Sequence, residues 1–342
     1  MNLARLTALC LLGGVVLGWS QAAQAQPRPG SLPPASGLPA LLEAYSELTG
    51  KTVLRANPLP KVDGLGPQSL PAQTNLAVAA IESRLRESGI DLVQQGPWFV
   101  CAVPAGWSNS PAAAFVRNVE PPSDHTETSR MMVNFAAADL EQVLSIYAKL
   151  RSRTILKSRA LGARALLMRN PRDLTSDELA YGITVLLALN GVAAVDDGNK
   201  FVQVVQMENW KGVVTASPKP SQDAPVLDPS ELPKLKLDRP PSALDRPNRL
   251  YFQIFGRQSP WTPRPADKLA RYYAELTDQQ AVPSANHGQM EVLFEVATPL
   301  TREEILYAIE TTFRLEGLAI VQAGRNRVTV VSLAEQQRRT DD

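Results

Sequence analysis

The sequence predicts an α+β protein of three repeated small two-layer βαββαββ domains, each laying two helices on one face of a small sheet. Three observations lead to this expectation. Apolar positions recur at constant offsets of +102 and +126 along the 342 residues. The runs that carry them have helical spacing. Each second helix stops at a glycine followed by two short aliphatic strands.

The correspondences fall on the packing positions. Tyr45, Tyr147 and Tyr273 match in the first helices, as do Leu48, Leu150 and Leu276. In the second helices Ile81, Ile183 and Ile309 match, then Leu85, Leu187 and Phe313. The stop glycines are Gly89, Gly191 and Gly317, and the hairpins align Val93 with Val195 and Val321, then Val103 with Val205 and Val331. Tyrosine and leucine three apart, like isoleucine and leucine four apart, share one helical face, so each unit can press two amphipathic helices on a sheet.

In chain order, residues 1–25 predict a secretory signal peptide. Arg5 is the basic start, Leu6–Leu17 the apolar run and Ala23-Gln24-Ala25 the cleavage motif. The run is short of the roughly twenty residues a spanning helix needs. Residues 26–37 are a proline- and serine-rich disordered lead-in. The first unit, 38–104, holds helices at 38–48 and 76–88, a strand at 51–54 and a hairpin at 90–93 and 98–103; it lacks an opening strand. A linker, 105–130, follows.

The central unit, 131–206, opens with a strand at Met132–Phe135. Then come a helix at Asp139–Leu150, strands at Thr154–Lys157 and Ala165–Arg169, a helix from Thr175 to Asn190, and a hairpin turning at Asp196–Asn199. Residues 207–249 are a second linker, with eight prolines between Pro218 and Pro247, a density that favours an extended spacer. The third unit, 250–333, starts with a strand at Leu250–Phe255 and a helix from Pro265 to Leu276. It continues with a strand at Glu291–Val296 and a helix begun by the capping box Thr301–Glu304, and ends in a hairpin at 318–321 and 328–331. The polar tail, 334–342, is expected to be disordered.

Composition narrows the function. Thirty-five lysines and arginines against 34 aspartates and glutamates leave a formal charge of +1, without the basic excess that nucleic acid or an anionic membrane attracts. Cys10 departs with the signal, so Cys101 is alone and reads as a buried small apolar side chain. His125 and His287 have no ligand partners at metal-binding spacing, and no nucleophile elbow, phosphate loop or cysteine cluster occurs. Asp196-Asp197 suits a turn and Glu303-Glu304 a helix start. No catalytic, cofactor-binding or metal residue is assigned, no cofactor is expected, and the chain is read as a non-enzyme.

Several segments together carry a family likeness: Val133-Asn-Phe135, Tyr45-Ser-Glu-Leu-Thr-Gly-Lys51, Leu174-Thr-Ser-Asp-Glu178, Leu300-Thr-Arg-Glu-Glu304 and Gly317-Leu318. With them the unit resembles the repeated periplasmic N-terminal domains of secretins, the outer-membrane channels of type II and III secretion and of type IV pili. Secretins continue into a β-rich pore region, whereas this chain ends after its third unit. The resemblance implies a periplasmic scaffold or adaptor without the secretin pore domain. Its implied partners are a secretin, inner-membrane secretion components or further copies in a ring, with no nucleic acid and no direct membrane span. Two other readings stand beside it: a signalling or substrate-recognition protein similar to the short secretin-like domain of TonB-dependent transducers, and an envelope carbohydrate-binding protein. The fold also resembles the RNA-binding KH module, but the Gly-x-x-Gly loop is missing and the charge is neutral.

Because Leu187 lies on the expected core face, Leu187→Ala should lower unfolding free energy by about 2–5 kcal/mol in a urea titration.

Overall fold

The computed structural model describes residues 37–60, 70–122, 130–215, 264–294, 296 and 298–341. The expected signal peptide, the lead-in as far as residue 36, the strand at 250–255, His125 and linker residues 216–249 lie outside them.

The first part comprises α1 (Leu38–Thr49), β1 (Thr52–Arg55), α2 (Thr74–Glu87) and the hairpin β2 (Ile90–Gln95) and β3 (Phe99–Pro104), followed by a 3-10 turn and α3 (Pro111–Arg117). The middle comprises β4 (Arg130–Met131), β5 (Asn134–Asp139), α4 (Leu140–Arg151), β6 (Thr154–Lys157), β7 (Ala165–Arg169) and β8 (Leu174–Thr175). It closes with α5 (Ser176–Leu189), β9 (Val192–Asp197), β10 (Phe201–Gln206) and a 3-10 turn at Met207–Gly212. The last part comprises β11 (Arg264–Pro265), α6 (Ala266–Leu276), β12 (Gln280–Ala281) and β13 (Glu291–Val292). It ends with α7 (Arg302–Leu315), β14 (Leu318–Gln322), β15 (Arg327–Ser332) and α8 (Leu333–Asp341). The protein is thus α+β, with several small mixed sheets.

Local chemistry explains the ends of these elements. Asp139, Thr175 and Thr301 cap α4, α5 and α7 in reciprocal boxes with Gln142, Glu178 and Glu304. Gly89, Gly191 and Gly317 have φ of 74°, 74° and 75°, a left-handed geometry that glycine adopts without the Cβ penalty. Their carbonyls accept from Ala105, Met207 and Leu333 respectively, tying the end of each hairpin to its start.

In three sheets the strand after the first helix runs parallel to the last strand of the hairpin. Thr52 lies opposite Phe99, Thr154 opposite Phe201 and Gln280 opposite Arg327, partners 47 residues apart each time. Between these sheets and the helices sits the core. Ile81, Ile183, Ile309, Leu85, Leu187 and Phe313 are all fully buried. Tyr45 and Tyr147 are buried, but in α6 the buried ring is Tyr272, and Tyr273 stays half-buried with its hydroxyl on Glu310.

Four expectations need correction. The opening strand of the middle part forms at Asn134–Asp139, not at Met132–Phe135, with a bulge between Phe135 and Ala138. It does not join β6, β9 and β10. It pairs with β7, and β7 pairs with β1, giving a five-stranded sheet of order β2-β3-β1-β7-β5. The stretch 105–130 is not wholly a linker: Ser110 caps α3 by accepting from Ala113 N, and Ala113, Phe115 and Val116 are buried. The tail is helical from Leu333, because Ser332 Oγ accepts from Glu335 N and Glu335 pairs with Arg339 one turn on. Finally, only Glu291–Val292 of the expected strand at 291–296 is a strand, paired to β11.

Helix α5 also differs from the expected two-sided helix. Every residue from Leu179 to Leu189 is buried. A helix apolar all round has neighbours all round, and α5 is wrapped by α3, α4, β1, β7 and β9.

Gly191→Ala and Gly89→Ala should each lose about 1–2 kcal/mol, the cost of a left-handed alanine, in denaturant titrations. Gly191→Ala should lose more, because its Cβ would sit 2.8 Å from the Arg164 guanidinium, whereas Gly89 faces open space.

Candidate functional site

Among the described residues no group of three or more His, Cys, Asp or Glu side chains could hold a metal ion. Cys101 is fully buried in β3, and burial pushes its thiol well above the usual range, away from the reactive thiolate. Burial and the adjacent Glu82 raise the Tyr45 hydroxyl to about 12. His287 lies in the loop before β13, where its backbone N–H donates to Ser284 Oγ. None of these groups converges on another. Among the described residues, polar and aromatic contacts gather at two junctions, where one helix–strand–helix–hairpin segment meets the next.

At the first junction the Phe99 ring of β3 meets the Tyr181 ring of α5, with centroids 5.6 Å apart and planes at 54°. Tyr181 OH donates to Gln95 Oε1 at the end of β2. The close approach requires Gly182, since a Cβ there would lie 2.7 Å from the Phe99 ring. Beside the rings, β7 completes the sheet by pairing Val53 with Arg169 and Leu54 with Met168. At the other end of α5, Asn190 Nδ2 donates to Arg55 O at 3.2 Å. Arg172 covers the Trp98 ring at 3.5 Å while pairing with Glu178 of the capping box.

The second junction repeats the ring contact with more charge, and among the described residues no strand besides β10 pairs with β6. Phe201 of β10 meets Tyr307 of α7 at 5.4 Å and 55°. Tyr307 OH donates to Asp197 Oδ2, which also accepts from Gln203 Nε2 at 2.7 Å. Glu316, just past α7, accepts from Arg159 N at 2.6 Å and from Ser158 Oγ. Lys200 Nζ at the hairpin tip donates to Glu304 Oε2 at 2.7 Å, so Glu304 caps its own helix and binds the preceding segment. Thr154 Oγ1 bonds Thr298 Oγ1, Arg159 pairs with Glu291, and Leu156 and Phe294 belong to one apolar cluster.

Several residues read from sequence as punctuation therefore have a second role. Asp197 is not an exposed turn aspartate: it ends β9 and is fully buried, a placement made tolerable by donors that include Tyr307 and Gln203. Its neighbour Asp196 stays outside and pairs with Arg151 and Arg153. The sequence did carry a sign of the junctions. Phe99 and Phe201 stand 102 apart, and Tyr181 and Tyr307 stand 126 apart, the offsets of the packing positions. The sign is easily missed because the third member of each set is absent: Ala79 precedes the tyrosines and Arg327 follows the phenylalanines.

A groove of about 630 Å³ lies beside the first junction, lined among others by Phe115, Tyr147, Arg151, Tyr181, Asp196 and Trp210. Phe115, Tyr147 and Tyr181 are mostly buried in its walls, and Trp210 meets Phe115 edge-on at 5.4 Å. No helix among the described residues is long and apolar enough to cross a membrane. The chain matches no protein-family model, and no curated protein or solved structure shows significant similarity to it.

Tyr307→Phe should cost about 1–3 kcal/mol in denaturant titrations, because it strips one donor from a buried carboxylate. Tyr181→Phe, which removes only a 3.4 Å contact to Gln95, should cost clearly less.

Proposed function

We propose that this chain is a non-enzymatic periplasmic scaffold or adaptor of a secretin-type secretion or pilus system. In this reading three copies of one βαββαββ unit, resembling secretin N-terminal domains, work through protein–protein contacts. The observation that carries the proposal is the pair of junctions. The same ring contact recurs at the offsets of the repeat, and the residues at the corresponding helix ends, Asn190 and Glu316, each reach the preceding segment, one as a donor and the other as an acceptor. A unit whose hairpin twice receives a neighbouring unit, once with a strand added to its sheet edge, is a unit made for docking on protein. The signal-peptide pattern at 1–25 supports export. Secretin partners, inner-membrane secretion components and self-association into rings remain part of this proposal.

A signalling role like that of the short domain of TonB-dependent transducers would use the same surfaces for one regulatory partner. The carbohydrate-binding reading draws on the groove beside Trp210. It is the weaker one, since most of that groove's aromatic surface is already covered by protein.

Electron microscopy and light scattering of the exported chain, alone and with envelope proteins that co-purify with it, test the proposal. Rings or a defined complex with an envelope protein are expected. A strictly monomeric chain that holds no envelope protein would remove the scaffold reading.

A further inference from the structure

Each junction joins an acceptor to a donor. The acceptor is the strand after the first helix together with the hairpin tip; at the first junction that strand, β1, takes β7 as a ladder partner, and at the second the contacts are made by side chains and the hairpin tip. The donor is a short strand pair leading to a helix that begins with carboxylates, Asp177 and Glu178 in α5 or Glu303 and Glu304 in α7. The third sheet presents the acceptor again. Its order is β12-β15-β14, so β12 is an edge. The N–H groups of Gln280 and Val282 donate inward, to Asn326 O at 3.0 Å and Val328 O at 2.8 Å. Strand alternation turns the N–H and C=O of Ala281, between them, to the outer edge. Ala281 corresponds by the repeat offsets to Val53, which pairs with Arg169 at the first junction. Gln280 is exposed, and Ala281 and Val282 are half-buried.

The hairpin tip points to the partner's charge. Arg325 and Arg327 are exposed there, with no ion pair among the described residues. At the second junction the tip lysine, Lys200, receives the helix-start carboxylate of Glu304. Arg327 stands where Phe99 and Phe201 take a tyrosine ring, so this acceptor favours carboxylate over aromatic contact. Pro283 stands where Arg55 and Lys157 stand in the other sheets. It ends the edge after Val282 and leaves the two positions, Ala281 and Val282, that match the paired Val53 and Leu54.

We infer that the Gln280–Val282 edge and the Arg325–Arg327 tip bind a different protein through an antiparallel β-strand and a following carboxylate-started helix. A second copy of this chain does not fit the site. The first turn of α2 has no acidic residue, Ala79 replaces the junction tyrosine, and the two complete donors are already engaged within the chain. This inference rests on the tandem-unit reading proposed above.

Hydrogen exchange on the chain from Gln26 to Asp342 tests it, with a synthetic peptide spanning residues 163–178 (β7 and the start of α5) as the probe. Saturating peptide should slow exchange at Ala281 by about tenfold or more, as strand pairing does. The double variant Arg325→Glu/Arg327→Glu, exposed and so expected to keep its Tm, should weaken peptide binding by about tenfold or more. Val53, paired in cis, is the internal control and should exchange slowly without peptide. If Val53 exchanges fast, the tandem-unit reading fails and the inference with it. If Val53 is slow and peptide leaves Ala281 unchanged, the acceptor site alone is overturned. Slowing at Ala281 that grows with protein concentration in the absence of peptide would instead assign the edge to a second copy and overturn the foreign partner.

Discussion

Strand β1 has two hydrogen-bonding edges, and its own hairpin satisfies only one of them. The other is met by β7, more than a hundred residues further on, and that pairing organises the middle of the molecule. Once β7 is committed to β1, β5 follows it into the same sheet. Helix α5 must then run beneath strands belonging to two segments. It is buried on every side for that reason, and its composition of Leu, Val, Ile, Ala and Gly is the composition such a position requires. Gly182 belongs to the same constraint, since the sheet and the helix close to a distance that a methyl group would prevent.

Around this apolar closure the polar contacts set register. Asp197, Glu304 and Asn190 are buried polar groups placed where two segments meet, and each has one partner supplied by the neighbouring segment beside those of its own. A slip of one residue would bury them without those partners, at a cost of several kcal/mol for an ionised group. Exposed pairs such as Arg302–Asp278 add little to stability by comparison. Among the described residues these buried polar contacts lie where segments join.

Much of the fold was legible because it rests on local rules. The capping boxes at Thr175 and Thr301, the stop glycines and the spacing of Ile183 with Leu187 act within a turn or two of their own position. Helix α8 escaped notice because no apolar period marks it; a serine cap and one Glu–Arg pair define it. Helix α3 escaped because it is only seven residues long and begins at a proline, and its burial depends on α5 and the turn at Trp210, which are distant in sequence. The role of Asp197 was illegible for a related reason. An aspartate at a hairpin tip looks the same whether it meets water or a tyrosine hydroxyl 110 residues away.

The amino-acid order by itself determined the helices, their caps, the hairpins and the offsets that relate them, because hydrophobic period and turn chemistry are properties of neighbouring residues. It also placed Tyr181 and Tyr307 at the same distance as the packing positions. Which sheet received β5 and β7, and which rings and carboxylates met across the junctions, was decided only in the tertiary structure. Strand edges are chemically alike along a sequence, and the choice between them is made by what can be packed above them. For β1 that was α5, fitted against Phe99 through the missing side chain of Gly182.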